Sequence, residues 1–300
     1  MRLEELVREI AEDSTSGAAQ LTVKTANTFL KLLGHKPRLR SVKKLARLLA
    51  ESRPSMPSIG NMAFRISRDV ERHVSEGEKV EAAIEIAVRS AVREYQATLR
   101  KVVENASKIL RRYSSVLVHS YSSTAAAAIE LAEKVKVYVT ESRPGYEGKS
   151  LAERLAEKGF DVTLIVDSAA AYVIDRGLVD AFITGCDAIL DDSSIVNKIG
   201  TKMIALAARD GSIPYHVLTD LWKAAVYGFS FEEHSSEEVY SGDSERVSAL
   251  NPYFEAVPAR LITSFITEEG VLKPGDLVKR IRKLWGEPAG QKLTTSKAPR

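Results

Sequence analysis

One cysteine, Cys186, stands in a chain of 300 residues, so no internal disulfide is possible and the usage fits a reducing compartment. No apolar run approaches the ~20 residues that a membrane-spanning helix needs. Residues 1–5 open an amphipathic helix rather than a secretion signal, which points to a soluble, cytoplasmic protein with no membrane partner. The five histidines, His35, His73, His119, His216 and His234, have no metal-ligand spacing, so neither a metal nor another cofactor is expected. Charge of one sign is missing too: 43 Lys and Arg against 40 Asp and Glu leave +3, too little to imply direct nucleic-acid binding.

What remains is a globular composition, 44% apolar and 28% charged, with two textures along the chain. Apolar residues recur at helical spacing up to about Arg112 and predict helices over about 2–13, 16–33, 39–50, 58–75 and 78–110, with Pro54 and Pro57 punctuating one gap. Beyond Ser115, short apolar strands (116–120, 136–140, 162–166, 181–184, 215–218) alternate with helices of about ten residues. That alternation predicts a doubly wound parallel sheet. The expected organisation is a helical domain over 1–112, a sheet domain over 113–290 and a mobile tail over 291–300. Such sheets bind ligands at their strands' carboxyl edges, where Ser120, Glu141, Asp167, Asp187 and Asp220 stand.

The segment AFITGCDAILDDSSIVNKIGTKM (181–203) carries the most chemistry. A strand delivers Gly185 and Asp187, and Asn197 and Lys198 are read as opening a new helix. The ammonium and a helix N-terminus favour an anion, while Asp187 suits hydroxyls. Arg143, Lys198 and Lys223 are expected to converge as mutually repelling cations that an anion relieves, with Arg53 available from the helical part. A sugar phosphate or nucleoside monophosphate fits this set. Three other features have plainer readings. Residues 35–47 carry six Lys or Arg but read as a solvated helix face, Cys186 as a small buried hydrophobe, and the acidic, serine-rich 231–244 as a solvated loop rather than a lid.

VNKIGT after GCD, TESRPGYEG, VDSAAAY, LTDLWK and NPYFEAVPARLITSFITEEGVLKP, with SGAAQLTVKT and ESRPSMPSIGN upstream, closely resemble the alpha, beta and delta regulatory subunits of translation initiation factor 2B. That superfamily also holds isomerases of ribose 1,5-bisphosphate and of methylthioribose 1-phosphate. The resemblance implies an α/β protein with an N-terminal helical domain followed by a Rossmann-like domain that dimerises. It also implies a role in binding initiation factor 2, most readily its alpha subunit, without nucleotide exchange. Gly17, Ala18, Arg53, Arg143, Asp187, Asn197, Lys198 and Lys223 match its ligand-binding positions.

Two positions depart from the isomerases, which resemble this chain at VLVHSYSS but place a cysteine where Ser120 stands and an arginine where Ser16 stands. By resemblance, that thiol and the aspartate matching Asp187 are their acid–base pair. A thiol titrates near ~8.5 and is readily tuned toward neutrality, whereas a serine hydroxyl needs a partner base. The expectation is therefore a pocket that binds a phosphorylated ligand, with Ser120 and Asp187 as relics of chemistry, and a homodimer joined through the apolar segments 259–267 and 272–277.

Overall fold

The computed structural model describes residues 3–13, 16–232, 234–242, 244 and 246–286; the predicted tail over 291–300 lies outside them. By contacts the chain divides into two compact units, Met1–Thr98 with Trp222–Phe231 and Trp285–Arg300, and Leu99–Leu221 with Glu232–Leu284.

The first unit is helical: α1 (Leu3–Ala11), α2 (Ala18–Thr28) continued by a 3-10 turn to His35, α3 (Leu39–Ser52), α4 (Pro57–Ser75) and the start of α5 (Val80–Leu110). Its core follows the 3.6-residue period. α4 buries Ile59, Met62, Ala63, Ile66 and Val70 completely, and α3 turns Val42, Leu45 and Leu49 inward. The basic stretch ending α3's first turns is solvated as expected, with Lys44 paired to Glu4 on the surface. Residues 222–231 belong here because buried Asn61 donates Nδ2 to the carbonyls of Trp222 (2.6 Å) and Ala224 (2.8 Å), and the Trp222 ring meets Tyr95 edge-on.

In the second unit, β1 (Ser115–Val118), β2 (Lys136–Thr140), β3 (Val162–Ile165), β4 (Ala181–Thr184), β7 (Tyr215–Leu218), β9 (Ser264–Thr267) and β10 (Gly270–Leu272) form one sheet in the order β10-β9-β7-β4-β1-β2-β3. All neighbours are parallel except the β9–β10 hairpin at one edge. The helices between them are α6 (Ser123–Ala132), α7 (Glu147–Glu157), α8 (Ala170–Asp175) and α9 (Thr201–Asp210), with α10 (Pro274–Trp285) last. This is the doubly wound α/β arrangement expected. Central strands β1, β4 and β7 are buried along their whole length, as strands covered on both faces must be.

The second unit adds two features to the sequence reading. β9, part of the segment expected to dimerise, lies between β7 and β10 with Phe265 and Ile266 fully buried in the unit's own core. A second sheet of β5 (Ala188–Ile189), β6 (Ile195–Lys198) and β8 (Phe254–Val257) has no counterpart in the sequence reading. Its strands are two to four residues long and pair across up to about sixty residues of sequence, which leaves no local period to detect.

Candidate functional site

From β1 the chain winds through β2 and β3 to one side, whereas β4, β7 and β9 lie on the other. The reversal between β1 and β4 is a topological switch point, where diverging loops open a crevice at the carboxyl edge. Ser120 follows β1 and Asp187 follows β4, so the pair singled out by resemblance flanks it. The two loops pass closely: a Cβ on Gly185 would lie 2.8 Å from Ser122 Oγ.

The strand ends here are held in strained backbone. Ser120 (φ 65°) and Ser142 (φ 62°) both occupy the left-handed region, at a cost of about 1–3 kcal/mol each. Side-chain acceptors hold them there: Ser120 N–H donates to Ser142 Oγ (2.8 Å), Ser142 N–H to Asp167 Oδ1 (2.7 Å) and Arg143 N–H to Asp167 Oδ2 (2.7 Å). His119 is committed at both nitrogens. Its Nε2–H donates to the Ile199 carbonyl (2.8 Å), which leaves Nδ1 to accept from Thr140 Oγ1–H (2.7 Å). Burial lowers the His119 pKa and keeps the ring neutral. His119 therefore cannot act as the base that a serine nucleophile at Ser120 needs while these bonds hold.

Asn197 and Lys198 do not open a helix. They end β6, and α9 begins only at Thr201. Continuing the β5–β6 register by one residue places Asp187 opposite Asn197, and Asp187 N–H donates to the Val196 carbonyl (2.8 Å). Asn197 Nδ2 donates to Thr201 Oγ1 (2.9 Å). The expected anion site at the α9 N-terminus is already filled from within, because Glu255 Oε1 accepts from the N–H groups of Gly200 (2.7 Å) and Lys202 (3.0 Å).

Lys198 departs furthest from expectation. Its side chain is 2% exposed and its Nζ donates to Glu147 Oε1 at 2.7 Å. The Tyr253 ring covers it, 3.2 Å from Nζ to centroid, and Tyr253 Oη–H donates to the same Glu147 oxygen (2.6 Å). His234 stacks on the other side of that ring at 3.8 Å and 11°. Burial depresses the Lys198 pKa, with Glu147, Glu238 and Asp187 acting in the opposite sense; burial also raises that of the Tyr253 hydroxyl, aided by Glu147. Arg143 is occupied as well, donating to Tyr146 Oη (2.7 Å) with its guanidinium 4.9 Å from that ring. The predicted repulsion between converging cations is not what this unit contains, since carboxylate and phenol groups already face them. Glu147 and Tyr253 lie inside motifs that carried the resemblance, TESRPGYEG and NPYFEAVP, but a glutamate at a helix start and a loop tyrosine have no spacing rule to single them out.

The other predicted residues belong to the helical unit. Gly17 caps α2 and Ala18 is its first residue. Arg53 closes α3 and donates Nη1 to the Asp13 carbonyl (3.0 Å), while Ser16 N–H donates to Asp13 Oδ1 (2.8 Å). Where an arginine was expected at Ser16, Lys24 brings its ammonium to the Ser16 hydroxyl (2.7 Å). Lys223 ends a 3-10 turn, 7% exposed. A groove of about 570 Å3 in the same unit, lined by Leu30, Val88, Arg89 and Val92 among others, contains none of the predicted residues. Cys186 is buried, with Sγ 3.1 Å from Thr219 Oγ1. Among the described residues no cluster of three or more His, Cys, Asp or Glu is placed to hold a metal ion, and no helix is long and apolar enough to cross a membrane.

The model of the initiation factor 2 subunit family matches residues 2–274. The ribose 1,5-bisphosphate isomerase of Archaeoglobus fulgidus is 31% identical over 288 residues, covering 90% of this chain and 89% of that protein. The methylthioribose-1-phosphate isomerase of Fervidobacterium nodosum is 30% identical over 269 residues, 82% and 76% of the two chains. Among solved structures, the translation initiation factor eIF-2B of Pyrococcus horikoshii OT3 superposes with a TM-score of 0.78 at 24% identity, covering 92% of this chain and 98% of that one.

Proposed function

Since the chain belongs to the initiation factor 2 subunit family, we propose that it is a sugar-phosphate-binding member allied to the isomerases, with a phosphorylated pentose as its ligand. The observation that carries this reading is the placement of Asp187 at the switch point, across from Asn197 and beside the end of β6 that bears Lys198. A carboxylate facing an amide reads vicinal hydroxyls, and the carboxyl edge of the sheet is where such folds take small ligands. Similarity to two pentose-phosphate isomerases across most of both chains supports the same ligand class.

Ligand contact in the sheet unit is assigned to Arg143, Asp187, Asn197 and Lys198; Gly17, Ala18, Arg53 and Lys223 of the helical unit match ligand-binding positions by resemblance alone. Isomerisation moves a proton between adjacent carbons and needs an acid–base pair. Asp187 supplies one member. Ser120 stands where the resemblance places a thiol, and His119 is committed elsewhere. Binding with little or no turnover follows.

Calorimetry and a turnover assay with ribose 1,5-bisphosphate and methylthioribose 1-phosphate test this. Ligand at a hundred times its dissociation constant should raise the melting temperature through ~2.7 kcal/mol of added stability, and Asp187→Asn should weaken binding. Ser120→Cys alone is expected to leave turnover at background, because Ser16 also lacks the expected arginine. No binding at millimolar concentration would sink the reading, and turnover lost in Asp187→Asn would make the protein a working isomerase.

Ser120 favours a second reading, a regulatory subunit that binds initiation factor 2 through its alpha subunit, since the regulatory subunits share the non-cysteine pattern. Capture of that subunit by purified protein, with and without a nucleoside monophosphate, tests it.

A further inference from the structure

A buried ammonium is costly unless compensated, and Lys198, 2% exposed, has its compensation inside the protein. Glu147 Oε1 receives both the Lys198 ammonium (2.7 Å) and the Tyr253 hydroxyl (2.6 Å). The pair is roofed by aromatic rings, Tyr253 against Lys198 and His234 against Tyr253. The second carboxylate oxygen, Glu147 Oε2, is equally shut from water and accepts no hydrogen bond. A buried acceptor without a hydrogen bond is destabilising, so this oxygen is a standing demand for a donor. The carboxylates of Glu238 and Asp187 also favour the charged form of Lys198.

We infer that Glu147 determines specificity at this site: by neutralising Lys198 and leaving one acceptor open, it selects a singly phosphorylated, hydroxyl-rich sugar over a bisphosphate. This deepens the sugar-phosphate reading above and rests on it. An anion brought to Lys198 must displace Glu147 or lie beside it. Both cost more for a phosphate carrying nearly two negative charges than for a hydroxyl, which donates to a carboxylate through a strong, charge-assisted bond.

The test uses the full-length protein and two probes, ribose 5-phosphate and ribose 1,5-bisphosphate, titrated calorimetrically into wild type, Glu147→Gln and the double variant Glu147→Gln with Lys198→Gln. Wild type should bind ribose 5-phosphate more tightly than the bisphosphate. Glu147→Gln keeps the side chain's shape but releases the lysine charge, and should move the ratio of affinities at least tenfold toward the bisphosphate. In the double variant the lysine charge that Glu147→Gln released is gone, so its ratio should fall back at least tenfold from that of Glu147→Gln. If Glu147→Gln alone fails to fold, the double variant, in which no buried ion is left unpartnered, should still bind the bisphosphate no better than ribose 5-phosphate. A ratio unmoved by Glu147→Gln, or a double variant that favours the bisphosphate, overturns the inference and leaves the sugar-phosphate reading intact. If none of the three proteins binds either probe at millimolar concentration, the sugar-phosphate reading itself is overturned, and the inference falls with it.

Discussion

Glu268 sits just past β9 where one oxygen accepts weakly from Leu221 N–H (3.3 Å) and the other is buried without a partner. Burial first, and then the negative charge of Asp220, push its carboxyl up to about 7. A carboxyl whose folded pKa exceeds its unfolded value binds its proton more tightly when folded. Its stabilising contribution is therefore complete below about 4.5 and lost as pH rises through about 7. His119 and His216 act in the opposite sense. Burial lowers both, His216 to about 4, so the stability of their neutral forms is lost as pH falls below about 6.5. Glu268→Gln isolates the first effect: the variant should melt above wild type at pH 8, on the order of 3 kcal/mol more stable, with the gap closing by pH 5. Thermal melts of the two proteins across that range check it, and a gap independent of pH would refute the assignment. None of this was readable from the sequence, because Asp220 and Glu268 are 48 positions apart and only the pairing of β7 with β9 brings them together.

At the scale of elements, the sequence was most legible where burial is periodic or continuous. The five strands around the switch point and the helices of the first unit fall within a few residues of their predicted places, since one buried face imposes a period that composition displays. Asn197 and Lys198 were misplaced because IVNK is apolar at one end and polar at the other, which suits a helix start as well as a strand end. Pairing with β5 and β8 decided it. The start of α7 shows how tightly elements constrain a residue. A Cβ on Gly148 would lie 1.8 Å from the Thr140 carbonyl oxygen at the end of β2, so backbone meets backbone and neither has a flexible end to yield. Gly148→Ala is expected to cost about 3 kcal/mol and to displace Glu147 beside it. Denaturant unfolding measures the first, and the ratio of ribose 5-phosphate to ribose 1,5-bisphosphate affinity in Gly148→Ala reports the second. A neutral Gly148→Ala would mean that α7 can shift freely against β2.

At the scale of the molecule, the contact division falls inside α5, between Thr98 and Leu99, and returns residues 222–231 to the helical unit. We propose a homodimer formed through the sheet unit. With β9 committed to its own core, the apolar surface for it is sought instead at edge strand β3, where Leu164 is 45% exposed, with Val166 just after the strand 52% and Tyr172 on α8 57% exposed. A stable interface should bury at least ~1,000 Å2. Light scattering at micromolar concentration should give twice the 33.0 kDa chain mass, and Leu164→Lys with Tyr172→Ser should shift it to monomer. A monomeric wild type would end the proposal.

By itself, the sequence determined the class of fold, the change from helical to strand texture, and the order of carboxyl-edge residues that includes Ser120 and Asp187. These depend on the chain's local period and on which residues follow each apolar strand. Tertiary structure alone decided the state of the site's charges. A sequence shows that Lys198 is a cation but not that Glu147, 51 positions away, already holds it, because electrostatic energy depends on distance and burial, which contacts remote in sequence set.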